Sequence, residues 1–140
     1  MIDRDTGFYF MPVSLKAVVL NEGDVLLCHN SRGEWELPGG WPTREDELAA
    51  DTIRREVREE TGLEIVMQSL PYADILRVTS DIRSFIVMYS AICISAGELH
   101  SSAEHDSVRF FALHEMPRNL PSLYLRGINM ALKIFNCGGY

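Results

Sequence analysis

The nine residues Arg55-Glu56-Val57-Arg58-Glu59-Glu60-Thr61-Gly62-Leu63 constrain this chain more than any other stretch. Residues 47–57 have the spacing of an amphipathic helix. At about 100° per residue, Ala49, Ala50, Ile53 and Val57 form one apolar stripe. Glu56, Glu59 and Glu60 are related by i,i+3 and i,i+4, so they share a face that borders the stripe. Arg54, Arg55 and Arg58 point roughly the other way. A solvated helix laced with ion pairs, Arg55 with Glu59 for example, is the ordinary origin of such a charge run. Gathering the acids at the edge of the buried side, however, costs mutual repulsion unless a cation sits among them. Three hard anionic oxygen donors suit Mg²⁺, or alternatively Mn²⁺. Gly62 fits the left-handed residue that ends a helix.

The segment before the helix favours the cation. Trp35-Glu36-Leu37-Pro38-Gly39-Gly40 reads as a short strand running into a Pro-Gly-Gly loop. Such a loop lets backbone approach a ligand closely and offers bare carbonyls or amides to a metal or phosphate.

Together the two pieces resemble the signature of the Nudix hydrolase family. That signature is Gly, five residues, Glu, seven residues, Arg-Glu, an apolar residue, any residue, Glu-Glu, any residue, Gly, apolar. From Glu47 onward every position matches, through Arg55-Glu56, Glu59-Glu60 and Gly62-Leu63. The front departs: five residues separate Glu47 from Trp41, not from a glycine, so a one-residue insertion behind Gly40 is expected. The resemblance implies an α/β fold, the Nudix-type α/β/α sandwich with a mixed β-sheet between helices. It also implies that Glu56, Glu59 and Glu60 hold the divalent cation, and that Gly39 or Gly40 adds a backbone carbonyl. Arg55 pairs with a glutamate and fixes its rotamer, and Glu47 has a structural role near the helix N-terminus. The implied activity is metal-dependent hydrolysis of a nucleoside diphosphate linked to another moiety, of the ADP-ribose, sugar-nucleotide or nucleoside-triphosphate type. A binding or sensor domain of the same fold with little turnover is the alternative, favoured only by the altered glycine loop. A diphosphate isomerase of this fold is a third possibility that no residue singles out. The resemblance also implies a homodimer.

Composition bounds the remaining classes. A chain of 140 residues with 46% hydrophobic and 24% charged residues suits one domain, 1–140, with a real core. The net charge of −7 argues against a groove for polymeric nucleic acid, yet an anionic small molecule remains compatible when a divalent cation bridges the two. Cys28, Cys93 and Cys137 are odd in number and unpaired in spacing, which suggests free thiols in a reducing, cytoplasmic compartment. The longest apolar run, 85–94, is too short to span a bilayer.

In chain order, residues 1–11 suggest a terminal strand. Strands at 13–20 and 25–29 flank the turn signal Asn21-Glu22-Gly23-Asp24. A strand at 63–68 leaves the helix. Strands at 74–79 and 82–95 form a second hairpin about Ser80-Asp81, the latter apolar enough to be central and covered on both faces. Residues 96–98 turn, 101–107 loop, 108–111 form a strand, and 120–136 form a second helix closed by Gly138-Gly139. Trp35 and Trp41 are candidates for stacking on a base, with core packing the commoner role. Arg32, Arg44, Arg77 and Arg83 are candidate phosphate contacts. His29, His100, His105 and His114 lack ligand spacing and are expected at the surface or locally bonded. Met67, Met88 and Met130 are expected to fill the core. In the 101–107 loop, Glu104 is the candidate general base, preferred over Asp106 for its longer reach. The resemblance implies as much: family members often carry a further acid on a loop downstream of the signature, used as a metal ligand or general base.

Overall fold

The computed structural model describes residues 1–95, 99–100, 102 and 105–138. Strands β1 (Val13–Asn21) and β2 (Asp24–Asn30) are joined by the expected tight turn, with positive φ at Glu22 and Gly23. A primed turn of this kind matches the twist of the strands it joins. Then come β3 (Trp35–Glu36), β4 (Gly39–Gly40), helix α1 (Ala49–Thr61), β5 (Ile65–Arg77), β6 (Arg83–Cys93), β7 (His105–Phe111) and helix α2 (Ser122–Gly138).

The strands form one mixed sheet in the order β3-β2-β1-β6-β5, with β4 paired to β1 and β7 to β2. The β1–β6 pair is parallel and the others are antiparallel. Alternate residues of β1 enter opposite layers. Leu15, Ala17 and Val19 pack with Ile53 and Val57 of α1, whereas Val18 and Leu20 pack with Leu123, Tyr124 and Ile128 of α2. This is the expected sandwich, and it explains why β1 is buried along nearly its whole length. Burying Ile53 and Val57 fully contributes about 1.5–3 kcal/mol each.

Several local expectations are corrected. The two strands expected at 63–68 and 74–79 merge into a single strand, β5 (Ile65–Arg77), which crosses Pro71 with register irregularities between Met67 and Tyr72. A proline is tolerated there because β5 is an edge strand. On β6 one face is buried and the other only half-buried, so it is not covered equally on both sides. The Pro-Gly-Gly segment is not merely a loop, since Gly39 and Gly40 pair with Lys16 and Leu15. Strand β7 begins at His105, inside the stretch expected to be loop. Met88 is core, but Met130 is exposed. The expected turn at 96–98, Glu104 and Gly139 lie outside the described residues. Residues 1–11 form a small antiparallel bridge, Ile2 to Tyr9, rather than a strand of the sheet. No helix among the described residues is long and apolar enough to cross a membrane.

Candidate metal and diphosphate site

The pairing of β1 with β2 is limited to Leu20–Val25 and Asn21–Asp24. Beyond that point β4 takes the place beside β1, and Ala17 N–H donates to the Pro38 carbonyl at 2.9 Å. Strand β3 meanwhile pairs with Cys28 and His29 of β2. The segment 35–40 thus bridges two diverging strands and delivers Gly39 and Gly40 to the inner face of α1.

Helix α1 ends as expected. Gly62 has φ 78° and its N–H donates to the Arg58 carbonyl at 2.9 Å. The last turns present the three acids at graded depth. Glu60 is 4% exposed, Glu56 is largely buried and the Glu59 side chain is 60% exposed. Together with Gly39, Gly40, Trp41 and Ser102 they line one cavity of about 550 Å³. Glu60 Oε2 accepts a hydrogen bond from Gly39 N–H at 3.0 Å.

Arg55 does not point away from the acids. Its Nη1 donates to Glu56 Oε1 at 3.0 Å and lies 3.6 Å from Glu59 Oε2, while Nη2 reaches Asp46 Oδ2 at 2.9 Å. The rotamer-fixing contact to a glutamate is therefore present, with a second anchor on Asp46. Glu47 lies near the helix N-terminus as expected, two residues before α1, but it is exposed. The carboxylate that ties this end of the helix to Arg55 is that of Asp46. Its carboxylate also accepts from Thr43 N–H at 2.8 Å and Thr52 Oγ1 at 2.9 Å. The Arg55 guanidinium, aided by the Thr43 amide, holds the Asp46 carboxyl well below the ordinary carboxylate range. Five residues separate Gly40 from Asp46, so the front of the motif is in phase from Gly40. The extra residue lies between Asp46 and Arg55 rather than in the glycine loop.

Behind Glu60 is a buried polar cluster that spacing along the chain does not disclose. Lys16, Cys28, Glu36 and His105 come from β1, β2, β3 and β7. His105 is 3% exposed, against the expectation of a surface or locally bonded histidine, and its Nε2 lies 2.7 Å from Glu36 Oε1. Its Nδ1 is 4.0 Å from Glu60 Oε1. Burial pushes the Glu60 carboxyl up to about 7, although Lys16 and the Gly39 amide pull against it. The hydrogen bond that His105 Nε2–H donates to Glu36 raises the His105 pKa against its burial. Burial alone would raise Glu36 as well, but His105 and Lys16 outweigh it and lower its pKa. Burial likewise opposes the Lys16 charge, and Tyr124, Glu36 and Glu60 together raise its pKa nonetheless.

Two donor sets are available to a metal. Cys28, Glu60 and His105 place ligating atoms within 4.8 Å of one another. Burial drives the Cys28 thiol pKa upward, which keeps it protonated, and the Lys16 ammonium acts on the same groups. A second cation is disfavoured there. The cavity set, Glu56, Glu59 and Glu60, consists of hard oxygens facing open space, and the charge crowded onto it favours a divalent cation.

Trp41 is 65% exposed at the cavity, free to meet a ligand, whereas Trp35 packs edge-on against Phe111 in the core. The candidate arginines do not line the cavity. Arg32 pairs with Glu34, Arg77 donates to the Ser80 carbonyl and Arg83 covers the Tyr9 ring. Asp106 faces away from Glu60's side and binds His29 Nδ1 at 2.6 Å.

Comparison with known proteins identifies the family and the fold. The family model described as NUDIX domain matches residues 11–129. An isopentenyl-diphosphate Δ-isomerase from Jannaschia sp. (strain CCS1) is 28% identical over 97 residues, covering 65% of this chain and 54% of its own length, so the chain spans about half of that relative. Similar solved structures include a UDP-X diphosphatase (TM-score 0.76, 18% identity, 96% of this chain and 68% of that one). A MutT NUDIX hydrolase from Burkholderia pseudomallei has TM-score 0.75 and 23% identity over 87% of this chain and 98% of its own. An ADP-ribose pyrophosphatase from Streptococcus suis has TM-score 0.69 and 22% identity over 94% of both chains. At these identities the structures bear on the fold.

Proposed function

The chain belongs to the Nudix hydrolase family, and from that premise we propose that it hydrolyses the diphosphate bond of a small nucleoside-diphosphate substrate with Mg²⁺ or Mn²⁺. The observation that carries this is the convergence of Glu56, Glu59, Glu60, Gly39 and Gly40 on one cavity, with Trp41 exposed beside them. Glu56, Glu59 and Glu60, with a backbone carbonyl of Gly39 or Gly40, would hold the divalent cation, which would supply charge neutralisation for the diphosphate and a lowered pKa for water. Arg55 keeps the Glu56 carboxylate turned toward the cavity. Glu104 takes the proton from the attacking water. The water oxygen bonds to one phosphorus as the bridging oxygen leaves, giving a nucleoside monophosphate and a second phosphorylated product. Trp41 stacks on the base or sugar. The net charge of −7 and a cavity lined by carboxylates and glycines argue against polymeric nucleic acid as the substrate.

The test is a panel of ADP-ribose, UDP-sugars and nucleoside triphosphates with Mg²⁺ or Mn²⁺, read by phosphate release in a coupled phosphatase assay. Turnover of at least one class, abolished by EDTA and restored by excess metal, is the expected result. Nucleotide binding without turnover in either metal would instead mark a sensor domain. The similarity to an isopentenyl-diphosphate isomerase warrants one more arm, isopentenyl diphosphate with Mg²⁺. Isomerised product without hydrolysis there, and none elsewhere, would overturn the hydrolase assignment.

A further inference from the structure

The Glu60 carboxylate has one oxygen held and one unheld. Oε2 accepts the Gly39 amide at 3.0 Å, and Oε1 faces His105 Nδ1 at 4.0 Å. His105 is itself fixed from behind, with Nε2 2.7 Å from Glu36 Oε1. Among the described residues its buried Nδ1 has no hydrogen-bond partner. A buried ring nitrogen without a partner is costly and calls for an explanation. The fold brings it there deliberately. The β2–β7 register shifts between His29 and Asn30, so His105 pairs with Asn30 and turns inward while Asp106 turns out to His29.

We propose that His105 is a positioning residue for Glu60: as an imidazolium that donates Nε2–H to Glu36, it presents Nδ1–H to the Glu60 oxygen that Gly39 leaves unheld and sets the rotation of that carboxylate toward the cavity. The proposal rests on Glu60 being a ligand of the divalent cation. One hydrogen bond, from Gly39, leaves the carboxylate free to swing about its last torsion. A second contact on the other oxygen removes that freedom, and each oxygen keeps a lone pair for the cation. A shift of about 1 Å brings Nδ1 and Oε1 to hydrogen-bond distance. The rival role for Nδ1, direct coordination of a metal with Cys28 and Glu60, places a second cation beside the Lys16 ammonium and needs a thiolate in a buried pocket.

Two isosteric variants separate the contacts. His105→Gln keeps a polar atom near the Nε2 position, facing Glu36, and removes Nδ1. His105→Asn places an amide near the Nδ1 position, facing Glu60, and gives up Glu36. Mn²⁺ affinity of the full chain is read from the free-Mn²⁺ electron paramagnetic resonance signal, and kcat and KM are measured in parallel. His105→Gln should weaken Mn²⁺ binding roughly tenfold, as for other residues that orient a ligand, and lower kcat with KM little changed. His105→Asn should recover most of both losses. Glu60→Gln is the control. If it leaves Mn²⁺ affinity unchanged, Glu60 is not a ligand, and both the metal assignment and this proposal fall. If it weakens binding while His105→Gln stays within about twofold of wild type, the positioning role alone is overturned. Equal losses in His105→Gln and His105→Asn would reduce His105 to a structural residue and overturn the proposal as well. Should His105→Gln fail to fold by circular dichroism, His105→Asn against Glu60→Gln decides: Mn²⁺ affinity close to wild type in His105→Asn supports the proposal, and a loss as large as that of Glu60→Gln overturns it.

Discussion

Gly40 faces the carboxyl group of Glu56 with no room for a methyl group between them. A Cβ at position 40 would lie 2.6 Å from both Cδ and Oε1 of Glu56. Gly39 is tight for a different reason, since its φ is 146° and a Cβ there would collide with the Leu15 carbonyl of β1. The two adjacent glycines therefore separate function from folding. Gly40→Ala should displace Glu56, lowering kcat roughly tenfold or more while the melting temperature changes little. Gly39→Ala should be strongly destabilising, because backbone cannot yield as a side chain can. Activity and thermal denaturation of the two variants check this. Full activity in Gly40→Ala would remove Glu56 from the working site.

A second prediction concerns two neighbouring acids. Asp46 holds Arg55, Thr43 and Thr52, whereas Glu47 is exposed. Asp46→Asn should lower both stability and turnover, and Glu47→Gln should lower neither. The effect has a pH signature. The folded-state pKa of Asp46 is depressed below the usual 3.8. Its stabilisation is fully present above the unfolded value and is lost as pH falls through the folded one. Urea denaturation should show the Asp46→Asn deficit at pH 7 and its disappearance in strong acid. A larger loss from Glu47→Gln would restore Glu47 as the motif's first acid.

The contrast between these acids shows where the sequence was legible. Local signals survive in the structure. The Asn21–Asp24 turn, the stripe of Ile53 and Val57 and the stop at Gly62 all depend on neighbours within a few residues. The common face of the three glutamates was legible for the same reason. Failures come where a long-range contact decides. Asp46 and Glu47 differ by one residue in a segment outside the helix, where no periodicity fixes phase. His105 is bonded to Glu36, 69 positions away. Lys16 lies in an apolar strand, and its burial makes sense only once β3 and β4 are seen to close around it. Pro71 was legible as punctuation, but only the edge position of β5 allows the strand to continue through it.

Glu60 should destabilise the metal-free protein that it serves. Burial raises its folded pKa to about 7, so the unfolded chain releases this proton at lower pH than the folded one. The Glu60 contribution to wild-type stability is then greatest below the unfolded pKa and falls as pH rises toward about 7. A shift of that size corresponds to roughly 3 kcal/mol. Glu60→Gln keeps an acceptor for the Gly39 amide without the charge. In EDTA it should melt above wild type at pH 8 and close to it at pH 4. Excess Mg²⁺ should reverse the order at pH 8 by stabilising wild type, by about 2.7 kcal/mol at a hundredfold excess over Kd. Wild type more stable than Glu60→Gln in EDTA at pH 8 would show that the carboxylate is not under strain.

The general base is the last assignment open to a direct test. Glu104 and Asp106 flank His105 in the chain, and only Asp106 lies among the described residues. Asp106 is engaged by His29 at 2.6 Å and is largely solvent-exposed, on the strand position opposite in sense to the inward-turned His105. A carboxylate already bound to a histidine outside the cavity is poorly placed to take a proton from water within it. Asp106→Asn should therefore leave kcat within about twofold of wild type, with a small loss of stability from the broken surface pair. Glu104→Gln should lower kcat by roughly a hundredfold or more, the usual contribution of a general base, with Mn²⁺ affinity unchanged. Parallel loss of turnover and Mn²⁺ affinity would make Glu104 a ligand instead. If Glu104→Gln retains turnover within a few-fold, the proton is taken by one of the helix α1 glutamates, and Glu104 has no part in the chemistry.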